Sequence, residues 1–214
     1  MPTITAQSIV DKAQTILQDT PGMRWSDSEL LGWLNDGQRE ICSLRPSAKT
    51  RSATLTLVAG TRQTLPDSAT MLIEVMRNMP GGSPGAAIRK TDRETLDSFV
   101  PGWHTLSPVA TLQNFAYDPS VPEQFWVYPP AVASTQIEAV IAERPTDVAL
   151  ANPIDLDDMY SNALMDYVLY RGYSKDAEHE GNRALAVAYR QSFENTLGLK
   201  ATGDAAAVKK PSVE

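Results

Sequence analysis

Apolar side chains recur at steps of three and four in four stretches of this chain, and at steps of two in the region between them. The longest helical pattern runs from Ile154 to Gly198 and reads as a helical hairpin. Asn152-Pro153 punctuates the chain ahead of it. Asp155, Asp157 and Asp158 follow, where carboxylates would meet the positive end of a helix dipole. Leu156, Tyr160, Ala163, Tyr167 and Tyr170 form one apolar stripe, widened by Leu164 and Val168. Gly172 is the expected stop, and Ser174 the expected N-cap of a second helix that runs to Leu197 and ends at Gly198. On that helix Ala177, Gly181, Ala184 and Ala188 are small, a spacing that lets another helix approach. Leu185, Tyr189, Phe193 and Leu197 are bulky.

The other two helical stretches lie at the N-terminus. Residues 3–19 predict a helix capped by Thr5 or Thr3, with Ile9, Ala13 and Ile16 in its buried stripe beside Val10 and Leu17. Thr20-Pro21-Gly22 breaks it. A second helix starts at Ser26, with Glu29 at the capping-box spacing and Trp25 and Leu30 placed as a hydrophobic staple. Leu30, Leu34, Gly37, Ile41 and Leu44 repeat along it, Pro46 ends it, and Asn35, Asp36, Gln38, Arg39 and Glu40 fall on the expected wet face.

From Thr50 the period becomes two. Ala53, Leu55 and Leu57 alternate with polar residues up to Gly60, and Thr61–Leu65 is expected to return as the hairpin partner. Further strands are expected at Met71–Arg77, Ile88–Lys90, Leu112–Tyr117, Gln124–Tyr128 and Gln136–Glu143. Asn78–Gly85 and Trp103–Val109 read as irregular, and Asp118-Pro119 and Pro129-Pro130 as turns. Thr91 with Glu94 predicts a short capped helix carrying Leu96, Phe99 and Val100. The N-terminal helices cannot bury their stripes alone and must pack on the 154–198 hairpin. The predicted class is therefore α+β: a bundle of N- and C-terminal helices with an inserted small antiparallel β-rich region and a flexible tail. The divisions fall at residues 1–49, 50–150, 151–198 and 199–214, the last stretch being too poor in large apolar groups to order itself.

Charge and composition narrow the chemistry. A net charge of −7 argues against gripping nucleic acid, which needs clustered Lys and Arg, but not against a surface past which DNA slides. The single cysteine, Cys42, leaves no internal disulfide and no Cys-based zinc site. No membrane span or secretory leader is evident, so synthesis in the cytoplasm is expected. His104 and His179 are the only histidines, and Glu178 and Glu180 beside His179 point in different directions on a helix. No metal or cofactor site and no catalytic residue is assigned. Gly81-Gly82-Ser83-Pro84-Gly85 lacks the ending of a phosphate-binding loop. Arg89, Lys90 and Arg93 form a small basic patch that reads as a solvated face or a subunit contact rather than a DNA site. In Phe125-Trp126-Val127-Tyr128 both strand faces are apolar, so either the strand is fully internal or one face is covered by a neighbouring subunit; in the second case Phe125 and Val127 join Arg89 and Arg93 as the expected subunit interface.

The run IDLDDMYSNALMDYVLYRGYSKDAEHEGNRALAVAYRQSFENTLG resembles the C-terminal helical hairpin of tailed-bacteriophage head-to-tail adaptor proteins of the connector or tail-tubular type. WSDSELLGWLNDGQREICSLRP resembles the matching second helix, and with VPEQFWVYPP the likeness spans roughly residues 3–198. The resemblance implies a structural, non-enzymatic virion protein: a closed, dodecameric ring between portal and tail or nozzle protein, with phage DNA passing through its lumen. It also implies portal contact through the C-terminal segment, expected at Val208, Lys209 and Lys210. Two rival readings are a tail-completion or terminator protein and a small hydrolase using Asp155 and Asp158.

Overall fold

The computed structural model describes residues 2–178 and 180–207. The chain runs through α1 (Ala6–Ile16), α2 (Asp27–Leu44), β1 (Thr50–Thr56), β2 (Gly60–Thr64), β3 (Ala69–Asn78), β4 (Arg89–Lys90) and α3 (Arg93–Phe99). It continues through β5 (Asn114–Tyr117), β6 (Gln124–Ala131), β7 (Gln136–Glu143), α4 (Ser161–Lys175) and α5 (Glu180–Ala207). The class is α+β. Two units emerge: Met1–Ala48 with Pro145–Glu214, and Lys49–Arg144.

The helical unit starts at the caps its sequence offers. The Thr5 hydroxyl accepts the Ser8 N–H at 3.2 Å, and the Ser26 hydroxyl accepts the Glu29 N–H at 3.4 Å. Trp25 and Leu30 are buried on either side of the second cap. Between α1 and α2 the Asp19 carboxylate accepts the N–H groups of Trp25, Arg24 and Met23 at 2.8, 2.8 and 3.1 Å, closing the turn. Residues of α1, α2, α4 and α5 share one hydrophobic cluster, including Ile9, Leu34, Ile41, Leu164, Val168 and Phe193. Ile16, expected in the buried stripe, is 43% exposed, because α1 ends there and Leu17 turns inward instead.

Several expected boundaries move, each for a packing reason. Gly172 does not stop α4. It is buried mid-helix, where a Cβ would lie 3.2 Å from both Cδ atoms of Leu17, so glycine serves close approach rather than capping. Ser174 accordingly lies inside α4, and α5 starts at Glu180. α5 also continues through Gly198 to Ala207, carried by the alanine-rich sequence that follows. Close helix contact occurs at Gly37, whose Cβ would lie 2.9 Å from Tyr167 Cδ1. It does not occur at Gly181, Ala184 or Ala188, which are exposed. Asn35 and Gln38, expected in water, are buried. Asn35 accepts the Val148 N–H at 3.0 Å and donates to the Val148 carbonyl at 3.2 Å. Gln38 accepts the Asp155 N–H at 2.6 Å and donates to Asn35 at 3.1 Å. These two side chains fasten the returning chain to α2.

The β unit is two sheets around one core, not one small antiparallel sheet. Their orders are β1-β7-β3 and β2-β6-β5-β4, and β4 pairs parallel with β5. The expected β1–β2 hairpin is absent: β1 pairs with β7, and β2 with β6. The chain changes sheets at Leu57–Gly60. There the buried Gln63 side chain does the work of a hairpin ladder, donating to the Val58 and Gly60 carbonyls and accepting the Val58 N–H. Gly60 takes φ +107°, a conformation that suits only glycine. Pro129-Pro130 is not a turn but lies inside β6, where the pairing with β2 jumps from Arg62↔Trp126 to Gly60↔Ala131, so the missing N–H groups cost no ladder bonds. The N-cap of α3 is Asp92, which makes no side-chain cap bond, in place of the expected Thr91–Glu94 box. Phe99 is 82% exposed.

Leu34 is fully buried, so Leu34→Ala is expected to lower unfolding free energy by about 2–5 kcal/mol in a denaturant titration. Gly37→Ala is expected to destabilise as well despite alanine's better helix propensity, because the added methyl meets Tyr167. A gain in stability from Gly37→Ala would refute the close-packing role of this glycine.

Candidate assembly surfaces

The three aspartates that imitate a carboxylate pair do not sit in the first turn of α4. Asp155 accepts the Thr146 N–H. Asp157 accepts the Met159 N–H at 2.9 Å, capping the 3-10 turn Asp158–Tyr160 that precedes α4. Asp158 accepts the Thr3 hydroxyl at 2.6 Å, the Thr3 N–H at 2.9 Å and the Ile4 N–H at 3.1 Å. It thereby pins the N-terminal segment beside the Thr5↔Pro153 bridge. The Thr3 hydroxyl, then the Ile4 and Thr3 amides, hold the Asp158 carboxyl below its ordinary value of 3.8. Each carboxylate is thus engaged by backbone N–H groups of the chain.

The remaining candidate chemistry is similarly engaged. His104 stacks on the buried Trp103 at 3.8 Å between centroids, and its Nδ1 lies 2.8 Å from the Thr61 hydroxyl. His179 lies outside the described residues. Among the described residues no group of three His, Cys, Asp or Glu side chains is arranged to hold a metal. No helix among them is long and apolar enough to cross a membrane.

Surfaces remain. Phe125 and Val127, expected at a subunit interface, are fully buried in the β unit's own core, because β6 turns its odd-numbered residues inward. The outward side chains of this strand are Trp126 and Tyr128, both partly exposed. Arg93 lies over the Trp126 ring at 5.6 Å and 3.8 Å from Asp97. Arg93 and Trp126, with Tyr117 and Asp118, line an open cavity of about 370 Å³. Arg89 and Lys90 are exposed on β4. The alternation in the sequence contained this division of β6, but with both faces apolar it did not say which one faced inward.

On the helical unit, two grooves flank α4. One, of about 360 Å³, lies against α1 and is lined by Ile4, Ile9, Ile16 and Met165. The other, of about 270 Å³, lies against α5 and is lined by Tyr170, Ala186 and Val187 with Arg183 and Arg190. Leu185 and Val187 on α5 are 42% and 53% exposed, adjoining the exposed Ala184 and Ala188. Val208, Lys209 and Lys210 lie outside the described residues.

The helical unit thus carries two apolar grooves on separate flanks of one helix. The family model described as SU10 adaptor protein matches residues 4–211. The chain therefore belongs to that family of phage head-to-tail adaptors. No curated protein matches it.

The hydrogen bonds to Asp158 make stability depend on acid in a defined direction. Its folded pKa is depressed, so its contribution is present above the unfolded value near 3.8 and is lost as pH falls through the lower folded value. Thermal melts taken from pH 6 to pH 2 are expected to show a shallower acid limb for Asp158→Asn than for the parent. Parallel curves would mean that this carboxylate does not hold the N-terminal segment in solution.

Proposed function

We propose that this chain forms a closed ring between the portal and the tail of a tailed bacteriophage, extending the DNA channel, with the dodecameric symmetry that the resemblance implies. The observation that carries the reading is the family match over residues 4–211. The surfaces of the helical unit support it. A closing ring needs two different complementary patches on each subunit, and the α1–α4 and α4–α5 grooves lie on different flanks of α4. The exposed face of α5, with Ala184 and Ala188 at its centre and Val187 and Leu185 at its two margins, is the ring contact of the helical unit in this reading. Arg89, Arg93 and the outward face of Trp126 are that of the β unit. A net charge of −7 suits a lumen that DNA traverses without being gripped. A tail-completion protein would close a similar ring against a tail tube, and binding to portal separates the two readings. A hydrolase built on Asp155 and Asp158 is disfavoured by the hydrogen bonds that already occupy both carboxylates.

Introducing aspartate at both Leu185 and Val187 is expected to leave the melting temperature within a few degrees of the parent, since both side chains are exposed, and to abolish ring formation on portal particles seen by electron microscopy. Rings that form normally would remove this face of α5 from the interface.

The portal contact is proposed at Val208, Lys209 and Lys210, beyond the end of α5 at Ala207. Many weak copies of such a contact add up around a ring through effective concentration. Deleting residues 208–214 is expected to reduce co-sedimentation with portal by at least about tenfold while leaving the subunit's fold unchanged. Undiminished binding would show that these residues are not the clamp.

A further inference from the structure

We propose that β1 is an open sheet edge that pairs antiparallel with β1 of a second copy of this chain. The two sheets have four edge strands: β1, β3, β2 and β4. Unprotected edges invite pairing with other chains, and proteins blunt them with bulges, short strands, charge or covering segments. Three of the four are blunted in these ways. β3 shifts register at three places, the Leu72 N–H on it donates to the Tyr117 hydroxyl, and its end is covered where Ile88 N–H donates to the Met76 carbonyl. β4 is only Arg89–Lys90. β2 is five residues long and interrupted by a bulge.

β1 differs on each count. It pairs with β7 from Thr50 to Thr56 without a register shift, and among the described residues nothing pairs with its other side. The ladder fixes which backbone groups are open. Lys49 accepts the Glu143 N–H at 2.9 Å, and the Leu57 N–H donates to Thr135 at 2.8 Å, so odd-numbered residues bond toward β7. The N–H and C=O groups of Thr50, Ser52, Thr54 and Thr56 therefore point away from it, and all four residues are exposed. An array of donors and acceptors at every second residue recognises an extended strand.

The strand is complementary to itself. In an antiparallel pair centred on Ala53, Ser52 faces Thr54 and Thr50 faces Thr56, each pair exchanging the open backbone groups. Ala53 faces Ala53 at the close, non-hydrogen-bonded position, where a small side chain fits. Arg51 faces Leu55, so no like charges oppose each other, and the hydroxyl pairs add to the contact. The product is a continuous six-stranded sheet, β3-β7-β1 followed by the same three strands in reverse. This contact is two-fold and isologous, unlike the heterologous contacts of a ring. It needs no ring and would shield the open edge while subunits are free.

Sedimentation equilibrium on the purified full chain, with residue-resolved amide exchange, tests the pairing. The expected result is a dimer whose Thr50, Ser52, Thr54 and Thr56 amides slow on raising the concentration, while the odd-numbered amides are slow throughout. Thr54→Pro removes an N–H that the β7 ladder does not use, and proline is tolerated at such an edge. It is expected to raise the dimer dissociation constant by about tenfold or more, two interchain hydrogen bonds being lost per dimer. Thr54→Lys is the second variant should proline disturb the fold. Fast exchange of the even-numbered amides at every concentration, or a dimer indifferent to a folded Thr54 variant, overturns the proposal.

Discussion

The helical unit depends on two amides buried in α2. Gln38 is fully buried and Asn35 nearly so, and together they bond Val148 and Asp155, on the segment where the chain returns after residues 49–144. Together with the backbone bonds of Ala6 to Asn152, Gln7 to Leu150 and Ile154 to Ile4, that attachment brings α4 to the apolar stripes of α1 and α2. A buried amide that loses its partner is left at the full desolvation cost of its polar atoms, about 1–3 kcal/mol. In the same packing Gly37 lies against Leu164 and Tyr167. Closing a long excursion costs little more entropy than closing a short one, so an inserted unit is tolerable once this clamp exists.

The same logic governs the acidic residues. Asp19, Asp157 and Asp158 accept backbone N–H groups in turns and ahead of helices, and Asp155 accepts one in the segment that follows β7. Orphan donors at helix starts and turns need such acceptors, and a carboxylate supplies the strongest ones. In this adaptor these four aspartates serve the architecture.

The β unit manages its edges unevenly. Gln63, Asn78 and Tyr117 place side-chain groups on backbone atoms that neighbouring strands do not reach. Asn78 in particular joins Ala86 and Leu112 across a glycine-rich loop, giving that loop a fixed root. Among the described residues β1 has no comparable cover, and its threonines and serine leave the edge polar but open.

Period and capping chemistry in the sequence were enough to locate α1, α2, most of the strands and the α+β class. Hydroxyl caps and apolar spacing act over four or five residues, a range that a single sequence displays. The family likeness was legible for the same reason, since it rests on helical patterns. Which surface each pattern faced was decided only by tertiary structure. Asn35 and Gln38 looked wet because their burial depends on Val148 and Asp155, more than a hundred residues away. Gly172 looked like a stop because the Leu17 side chain that requires it there belongs to another helix. Phe125 and Trp126 alternate in one strand with both faces apolar, and only the second sheet determines which of them is core. Local bonding energy is written in neighbouring residues, whereas burial is a property of partners that the chain brings together only on folding.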